Sequence, residues 1–457
     1  MEHEEVNRLL KEALEILTGK DSDRSYIKTQ SFPNLPPLTP KEIMNLAEEL
    51  NINKAIANDL MTDTEIITLI RSDAKYASIF SGMWTESMTS MKKHLTGRLI
   101  LLNKAHPKIP LPTEMRPIIA LSPLLKLLEI RFKPKLDLYL NNRLTRTQTG
   151  FVQKCGTQIN ILRVLERCYF YKNTKYGRAC IFFLDLKSAY NNVPLESLFK
   201  NLITKAILEP LEVEFLRALY SNTTITIGEK QTLQINKGVM QGSVLSPALF
   251  DFFFEELIIE LTELHGETNV FAYADDLAAI CTSFAQLHHL IDTIDKWSKD
   301  NSTPINYGKS GILNILKNCR SRKMVGGGKF RDYPIKKEYK YLGIWINETL
   351  DPKYHLYHPK VADKREFIER RLKWIPKKAV SPAFIINLWT LLVRPLFDYA
   401  ILHAMLSKTK FYQEFLRTQR GSFKNVLGIR DSVETKVIEG LMGYSPLEFG
   451  QEMLEQA

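Results

Sequence analysis

Residues 271–280 read FAYADDLAAI, and residues 180–186 read CIFFLDL. In both runs apolar, β-prone residues flank acids, Asp275 and Asp276 in the first and Asp185 in the second. Adjacent carboxylates between apolar strands are costly, because an unpaired charge taken out of water costs several kcal/mol unless a cation compensates it. For YADD alone, a plain Asp-containing hairpin turn accounts for the sequence equally well. The third acid changes the balance. If the two runs are neighbours in one sheet, Asp185, Asp275 and Asp276 converge at the strand ends. That donor set suits hard divalent ions such as Mg²⁺, with Mn²⁺ as a substitute, which keep several waters and share their coordination with phosphates. Two such ions about 4 Å apart would clamp an in-line phosphoryl displacement.

Outward from these runs, residues 98 to 316 alternate short apolar runs with helical patterns, as an α+β domain should. Between the two acid runs, SPALFDFFFEELIIEL predicts a long buried helix, with Ser246 as N-cap and Pro247 at its first position. Residues 1–95 read as a helical extension broken by Pro33, Pro36, Pro37 and Pro40, with Thr39 and Pro40 starting a helix that carries Ile43, Leu46 and Leu50. Residues 317–340 hold nine Lys or Arg against two acids around Gly326, Gly327 and Gly328, the pattern of an exposed basic loop or hairpin. The remainder is helical. KVADKREFIERRLKWI places Phe367, Ile368, Leu372 and Ile375 on one face, with Lys364, Arg365, Arg371 and Lys373 mostly off it.

At 457 residues the chain exceeds a single hydrophobic core, so two or three subdomains are expected. Its composition, 44% hydrophobic and 25% charged, is that of a globular protein and excludes a disordered chain. Sixty-two Lys and Arg against 51 acids give a net charge of +11, which favours polyanionic partners. The five cysteines are odd in number and form no CxxC pair, against a disulfide framework or a zinc site and in favour of a reducing intracellular compartment. The N-terminus MEHEEVNRLLKEALEILTGK is acid-rich and helical in period, unlike a transit or signal peptide. No apolar run is long enough to span a bilayer, so no membrane partner is expected. No fixed repeat is visible, which excludes solenoids and propellers.

Taken in order, these segments resemble the reverse transcriptases, specifically those of LINE-type (non-LTR) retroelements. FLDLKSAYNNV is similar to the family's first palm motif, and GVMQGSVLSPALF at 238–250 to its second. FAYADD resembles the catalytic hairpin, INYGKS at 305–310 the Asn and Lys motif that follows, and YLGIWI at 341–346 the primer-grip hairpin. Upstream, MRPIIALSPLLKLLE at 115–129 and QTGFVQKCGTQINIL at 148–162 look like fingers segments. Downstream, LWTLLVRPLFDYAIL at 388–402 is similar to the helical region after the palm.

The resemblance implies an α+β right-hand polymerase fold with fingers, palm and thumb, an antiparallel palm sheet and helical N- and C-terminal parts. Fingers and palm would occupy residues 96–316, the basic loop and primer-grip hairpin 317–350, and the helical thumb and connection 351–457. It implies an RNA-directed DNA polymerase working on an RNA template, a DNA or RNA primer and deoxynucleoside triphosphates. Asp185, Asp275 and Asp276 would hold the two metals. Arg116 and Lys104 would contact the triphosphate, Gln241 and Gly242 would lie along the nucleotide and template, and Lys309 would protonate the pyrophosphate. Tyr190 would sit beneath the ribose and exclude a 2′-hydroxyl. Tyr273, Leu342, Gly343, Lys364, Arg365 and Arg371 would touch primer or template. If the chain is part of a retroelement, the nucleus is its expected location.

The sequence also departs from the family pattern. NKAIANDLM at 53–61 lacks the Gly and Pro residues usual in the corresponding fingers motif, and Asn191 stands where an Asp often follows the first motif's aromatic. Neither an endonuclease domain nor a zinc knuckle is read here, so the chain is expected to be a free-standing polymerase or a piece of a larger protein. The competing readings are a reverse-transcriptase-like RNA-binding scaffold without synthesis, an intron maturase and a viral RNA-dependent RNA polymerase. The unbroken acid triad stands against the first, the LINE-like later segments against the second, and YADD with Tyr190 against the third.

Overall fold

The structure is a computed structural model. It describes residues 31–50, 63–86, 95–104, 108, 115–143, 147–152, 155–174, 178–227, 231–234, 237–318, 320–406, 410–443 and 445. The acid-rich N-terminal segment, the 53–61 segment and Cys319 lie outside the described residues. The chain forms two compact units, one of residues 1–145, 186–256 and 296–304, the other of 146–185, 257–295 and 305–457. Along the described chain the strands are β1 Thr96–Asn103, β2 Met115–Leu121, β3 Ala179–Leu184, β4 Thr224–Ile227, β5 Gln231–Gln234, β6 Val270–Tyr273, β7 Asp276–Cys281, β8 Gly311–Ile315, β9 Lys329–Phe330, β10 Tyr333–Lys336, β11 Glu338–Tyr341 and β12 Ile344–Asn347.

In the first unit, Thr39 opens the helix Pro40–Glu48 as its sequence predicts. The Thr39 hydroxyl accepts the Glu42 N–H at 3.3 Å and the Glu42 carboxylate accepts the Thr39 N–H at 2.8 Å, a reciprocal cap. The unit's sheet runs β2-β1-β4-β5, with β1 and β2 antiparallel from Gly97 opposite Leu121 to Asn103 opposite Met115. Behind β2, all eight residues of the helix Pro123–Ile130 are buried, Lys126 and Glu129 among them.

The helix Ser246–His265 is long and largely buried, as its pattern predicts. Its cap differs from the expectation. The Leu249 N–H already reaches the Leu245 carbonyl, so Ser246 belongs to the first turn. The hydroxyl that accepts N–H groups there is that of Ser243, from Leu245 at 3.1 Å and Ser246 at 3.3 Å. An upstream serine competes for the same donors, and position relative to Pro247 alone does not reveal it.

The second unit is built on the sheet β6-β7-β3-β8-β10-β9. All six residues of β3 are buried, which explains an unbroken apolar run where a half-exposed strand would alternate. Ile181 and Phe183 pack with Ile161, Val164 and Leu165 of the helix Thr157–Asn173 and with Tyr341, Ile344 and Ile346 of the β11–β12 hairpin. On the other face, Phe182 meets Tyr333 edge-on, centroids 4.8 Å apart.

Tyr333 corrects the reading of residues 317–340 as one exposed loop or hairpin. β10 joins the sheet parallel to β8, Ile335 opposite Ile312, and Tyr333 is fully buried with its hydroxyl donating to Asp295 at 2.7 Å. Charges on both sides of a four-residue strand mask its alternation. At Gly326, Gly327 and Gly328 an added Cβ would meet nothing within 4 Å, so that stretch is open.

The helices Pro359–Lys373, Pro382–Leu392, Arg394–Leu406, Lys410–Leu427 and Thr435–Met442 enclose a second core around Trp389, Phe397, Phe415 and Phe423. Here the face assigned to Pro359–Lys373 is corrected. Arg365 is buried, paired with Glu369 at 3.7 Å and over the Phe397 ring at 5.6 Å, while Phe367 is exposed. A guanidinium stacked on an aromatic can take a core position that hydropathy assigns to a phenylalanine. Among the described residues no single helix is long and apolar enough to cross a membrane.

Candidate active site

β3 and β7 pair antiparallel from Cys180 opposite Cys281 to Leu184 opposite Leu277. One residue further, Asp185 and Asp276 leave the same end of the sheet. β6 and β7 close a hairpin in which Tyr273 faces Asp276 and Ala274 and Asp275 form the turn. Ala274 has φ of 53°, the left-handed region where glycine is usual. Asp275 of the predicted triad is thus carried on a strained two-residue turn.

The acids act on one another electrostatically. Burial first, then the charges of Asp275 and Asp185, push the Asp276 carboxyl up from 3.8 to about 7, with Lys309 opposing. The segment carrying Lys309 is tied to Asp185. The Asn306 N–H donates to the Asp185 carbonyl at 2.8 Å, and the Asp185 N–H donates to Ser310 Oγ at 2.9 Å.

Two further residues of this neighbourhood escape sequence reading. Lys336 Nζ donates to the carbonyls of Gly308 at 3.2 Å and Lys309 at 2.6 Å and lies 4.8 Å from the centre of the Tyr339 ring. Burial lowers the Lys336 ammonium's pKa while Asp185 raises it. Tyr339 stacks on Phe183, and burial together with the charges of Asp276 and Asp185 holds its phenol above the ordinary range. Only Tyr333 with Ile335, and Tyr339 with Tyr341, alternate along these strands, and the surrounding lysines hide the pattern.

Among the described residues no three His, Cys, Asp or Glu side chains are gathered into a ready-made metal cage. The burial and mutual repulsion that raise Asp276 nevertheless mark a donor set that a cation would relieve. Hard ions that take one or two carboxylates and complete their shell with water and phosphate fit such a set.

Further along, Leu342 and Gly343 form the β11–β12 turn, both at positive φ. The Tyr399 hydroxyl donates to the Leu342 carbonyl and accepts from the Thr157 hydroxyl, and its ring would lie 3.2 Å from a Cβ at position 343. Tyr273 is half-buried at the end of β6. Lys364 and Arg371 are exposed, with Arg371 over the Phe367 ring at 5.2 Å.

The remaining candidates lie in the first unit, where three of their segments meet. The Ile119 N–H of β2 donates to the Gln241 carbonyl at 2.7 Å, and a Cβ on Gly242 would fall 2.1 Å from the Ile119 carbonyl oxygen at a φ of 129°. Only glycine fits there. Gln241 Nε2 donates to Asn191 Oδ1 at 3.4 Å, and the Val239 N–H donates to the Tyr190 carbonyl at 2.8 Å. The Tyr190 ring stacks on Phe250, centroids 4.8 Å apart and 7° from parallel. Arg116 is exposed on β2 opposite Leu102, and Lys104 is exposed just past the end of β1. Behind the Gln241–Gly242 turn, the Glu129 carboxylate accepts from Ser243 Oγ at 2.8 Å and the Val244 N–H at 3.1 Å, a support that its apolar helix does not advertise.

A family model described as reverse transcriptase (RNA-dependent DNA polymerase) matches residues 102–346. The chain is 26% identical over 349 residues to the RNA-directed DNA polymerase from mobile element jockey of Drosophila funebris, an alignment covering 70% of this chain and 36% of that protein. Its Drosophila melanogaster counterpart is 24% identical over 406 residues, covering 82% and 42% respectively. The retrovirus-related Pol polyprotein from type-1 retrotransposable element R2 of Popillia japonica is 26% identical over 216 residues, covering 45% and 30%. The chain therefore spans less than half the length of these relatives. With more than half of its residues inside the family model, and the palm strands and their acids within that span, the chain belongs to the reverse transcriptase family, in its LINE-type (non-LTR) branch, and has that family's right-hand polymerase fold.

Proposed function

We propose that this chain is an RNA-directed DNA polymerase that extends a primer 3′-hydroxyl on an RNA template with deoxynucleoside triphosphates. The observation that carries the reading is the placement of Asp185 and Asp276 at one end of paired strands, with Asp275 in the adjoining turn and the Asp276 carboxyl raised by burial and by its neighbours. Two Mg²⁺ ions held by these three acids would lower the pKa of the attacking hydroxyl and neutralise the leaving pyrophosphate.

The chain's own residues supply the rest. Asp185, Asp275 and Asp276 provide the negative field that makes the site bind cations. Lys309, already within electrostatic reach of Asp276, delivers a proton to the departing pyrophosphate. Arg116 and Lys104 bind the triphosphate. Tyr190, braced flat on Phe250, fills the space a 2′-hydroxyl would need. Gln241 and Gly242 bring bare backbone close to the nucleotide. Tyr273 and the Leu342–Gly343 turn, with Lys364 and Arg371, hold primer and template.

The test is primer extension with an annealed DNA primer on an RNA template, Mg²⁺ and either deoxy- or ribonucleotides. Deoxynucleotide-dependent extension that is lost in Asp275→Asn by at least roughly 10²-fold, with primer–template affinity retained, supports the reading. Wild-type protein that binds the duplex but never extends it would reduce the chain to a nucleic-acid-binding scaffold.

A further inference from the structure

The segment Thr147–Gly150, which resembles a fingers motif in sequence, lies along the catalytic hairpin. The Ala272 N–H of β6 donates to the Thr147 carbonyl and the Thr149 N–H returns to the Ala272 carbonyl, both at 2.9 Å, so the segment forms a short parallel partner to β6. The side chain between them acts on the turn itself. Gln148 Oε1 accepts the N–H of Ala274 at 2.9 Å, and its Nε2 donates to the Ala274 carbonyl at 3.1 Å. One side-chain amide thus satisfies both backbone groups of the residue at positive φ that immediately precedes Asp275.

The clamp is itself held. Oε1 of Gln148 also accepts the Gly150 N–H at 2.8 Å, and a Cβ on Gly150 would fall 2.2 Å from the Ala274 nitrogen. Gly150 is therefore the residue that lets the segment approach. Asn160, fully buried, donates to the Ala272 carbonyl and to Thr149 Oγ1, each at 2.9 Å, and accepts the Tyr341 hydroxyl at 2.8 Å. Gln148 is 3% exposed, so no water competes for its amide.

We propose that Gln148 is a positioning residue for the catalytic acids: its side-chain amide holds Ala274 in the left-handed conformation and thereby fixes where Asp275 and Asp276 point. A left-handed alanine is unfavourable by itself, so the turn relaxes toward other geometries when its two backbone groups lose their shared partner. Both acids then leave the arrangement that binds cations, without any change in the residues that touch substrate. The proposal rests on the polymerase reading only for its catalytic consequence, since the clamp concerns the hairpin alone.

The test compares wild type with Gln148→Met, which keeps the volume and removes all three hydrogen bonds, and with Gln148→Glu, which keeps the acceptor and removes the donor. Hydrogen–deuterium exchange of the peptide spanning residues 270–281 reads the clamp directly. Mg²⁺ titrations of primer extension read its consequence. In Gln148→Met, amide exchange in the hairpin should quicken at least about tenfold, the half-saturating Mg²⁺ concentration should rise severalfold, and kcat should fall by roughly ten- to a hundredfold. KM for nucleotide and affinity for primer–template should stay put, and Gln148→Glu should fall between the two. A merely structural glutamine would lower the melting temperature without moving the Mg²⁺ midpoint. Unchanged hairpin exchange and an unchanged Mg²⁺ midpoint, in whichever variant folds, would overturn the proposal. Faster hairpin exchange in Gln148→Met alongside a wild type that never extends a primer would uphold the clamp and defeat the polymerase reading instead.

Discussion

Phe183 and Tyr339 lie ring on ring, centroids 3.9 Å apart and planes 3° from parallel. Phe183 is two residues before Asp185 on β3, and Tyr339 feels the charges of both Asp185 and Asp276. The stack therefore forms a wall beside the acids. Tyr339→Phe should keep it and leave extension within about twofold. Tyr339→Ala should cost about 3 kcal/mol in urea unfolding, because it removes both burial and ring stacking, and should lower kcat more than it raises KM.

Relief of charge gives a second expectation. With no cation bound, the Asp276 charge is penalised by burial and then by repulsion from Asp275 and Asp185, so Asp276→Asn should stabilise the metal-free protein while abolishing extension. The gain has an upper bound of roughly 4 kcal/mol, the free energy of moving a carboxyl pKa from 3.8 to about 7. Melting in EDTA checks it. A variant less stable than wild type in EDTA would mean that the acids are compensated by the protein itself.

Two buried groups should pull stability in opposite directions with pH. Burial raises Glu129 from 4.5 to about 7, so its contribution is fully present below 4.5 and is lost as pH rises through 7. Burial lowers His403 from 6.5 to about 3, so its contribution is present above 6.5 and is lost as pH falls toward 3. Glu129→Gln should remove the alkaline loss, and His403→Leu should flatten the acid loss, each by roughly 1.4 kcal/mol per pH unit within its window. Urea titrations at pH 4, 6 and 8 would show both.

Sugar choice should depend on the Tyr190–Phe250 stack. Tyr190→Ala is expected to raise the kcat/KM of ribonucleotides relative to deoxynucleotides by more than about tenfold, and Phe250→Ala to do the same more weakly by letting the ring swing. Equal falls for both sugars would make Tyr190 a packing residue.

The basic helix Pro359–Lys373 separates two kinds of cation. Replacing the exposed Lys364 and Arg371 by Ala should reduce the slope of log affinity against log salt by roughly 0.7 to 0.9 for each phosphate that is no longer neutralised. Arg365→Ala should leave the slope alone and cost stability, since it leaves the half-buried Glu369 charge with the Ser422 hydroxyl but without its cation, and empties the face of Phe397. Equal reductions in slope for Arg365 and Lys364 would contradict this division.

How far the sequence can be read follows from what each residue depends on. Asp185, Asp275 and Asp276 are legible because acids inside apolar runs violate a local rule, and local violations show in one dimension. Thr39 is legible because a capping box is written within four residues. Arg365 is not, since its burial depends on Phe397, thirty-two positions away. Glu129, Lys336 and Tyr339 escape for the same reason: each gains its role from a partner brought alongside by the fold. Gln148 belongs to a recognisable motif, yet nothing in its neighbours foretells a bond to Ala274.

The short partner that Thr147–Thr149 gives to β6 has a bearing on solubility. At the opposite margin of that sheet stands β9, two residues long and followed by Arg331, Asp332 and Pro334, a margin poorly suited to recruiting a foreign strand. At β6, among the described residues, the Thr147–Thr149 stub covers the edge, with Asn160 also donating to the Ala272 carbonyl. Detaching the stub bares the Ala272 N–H, and leaves Asn160 as the carbonyl's partner, on an edge open to strand addition. Damage to the catalytic hairpin and a tendency to aggregate on warming should therefore arise together, from the same few hydrogen bonds.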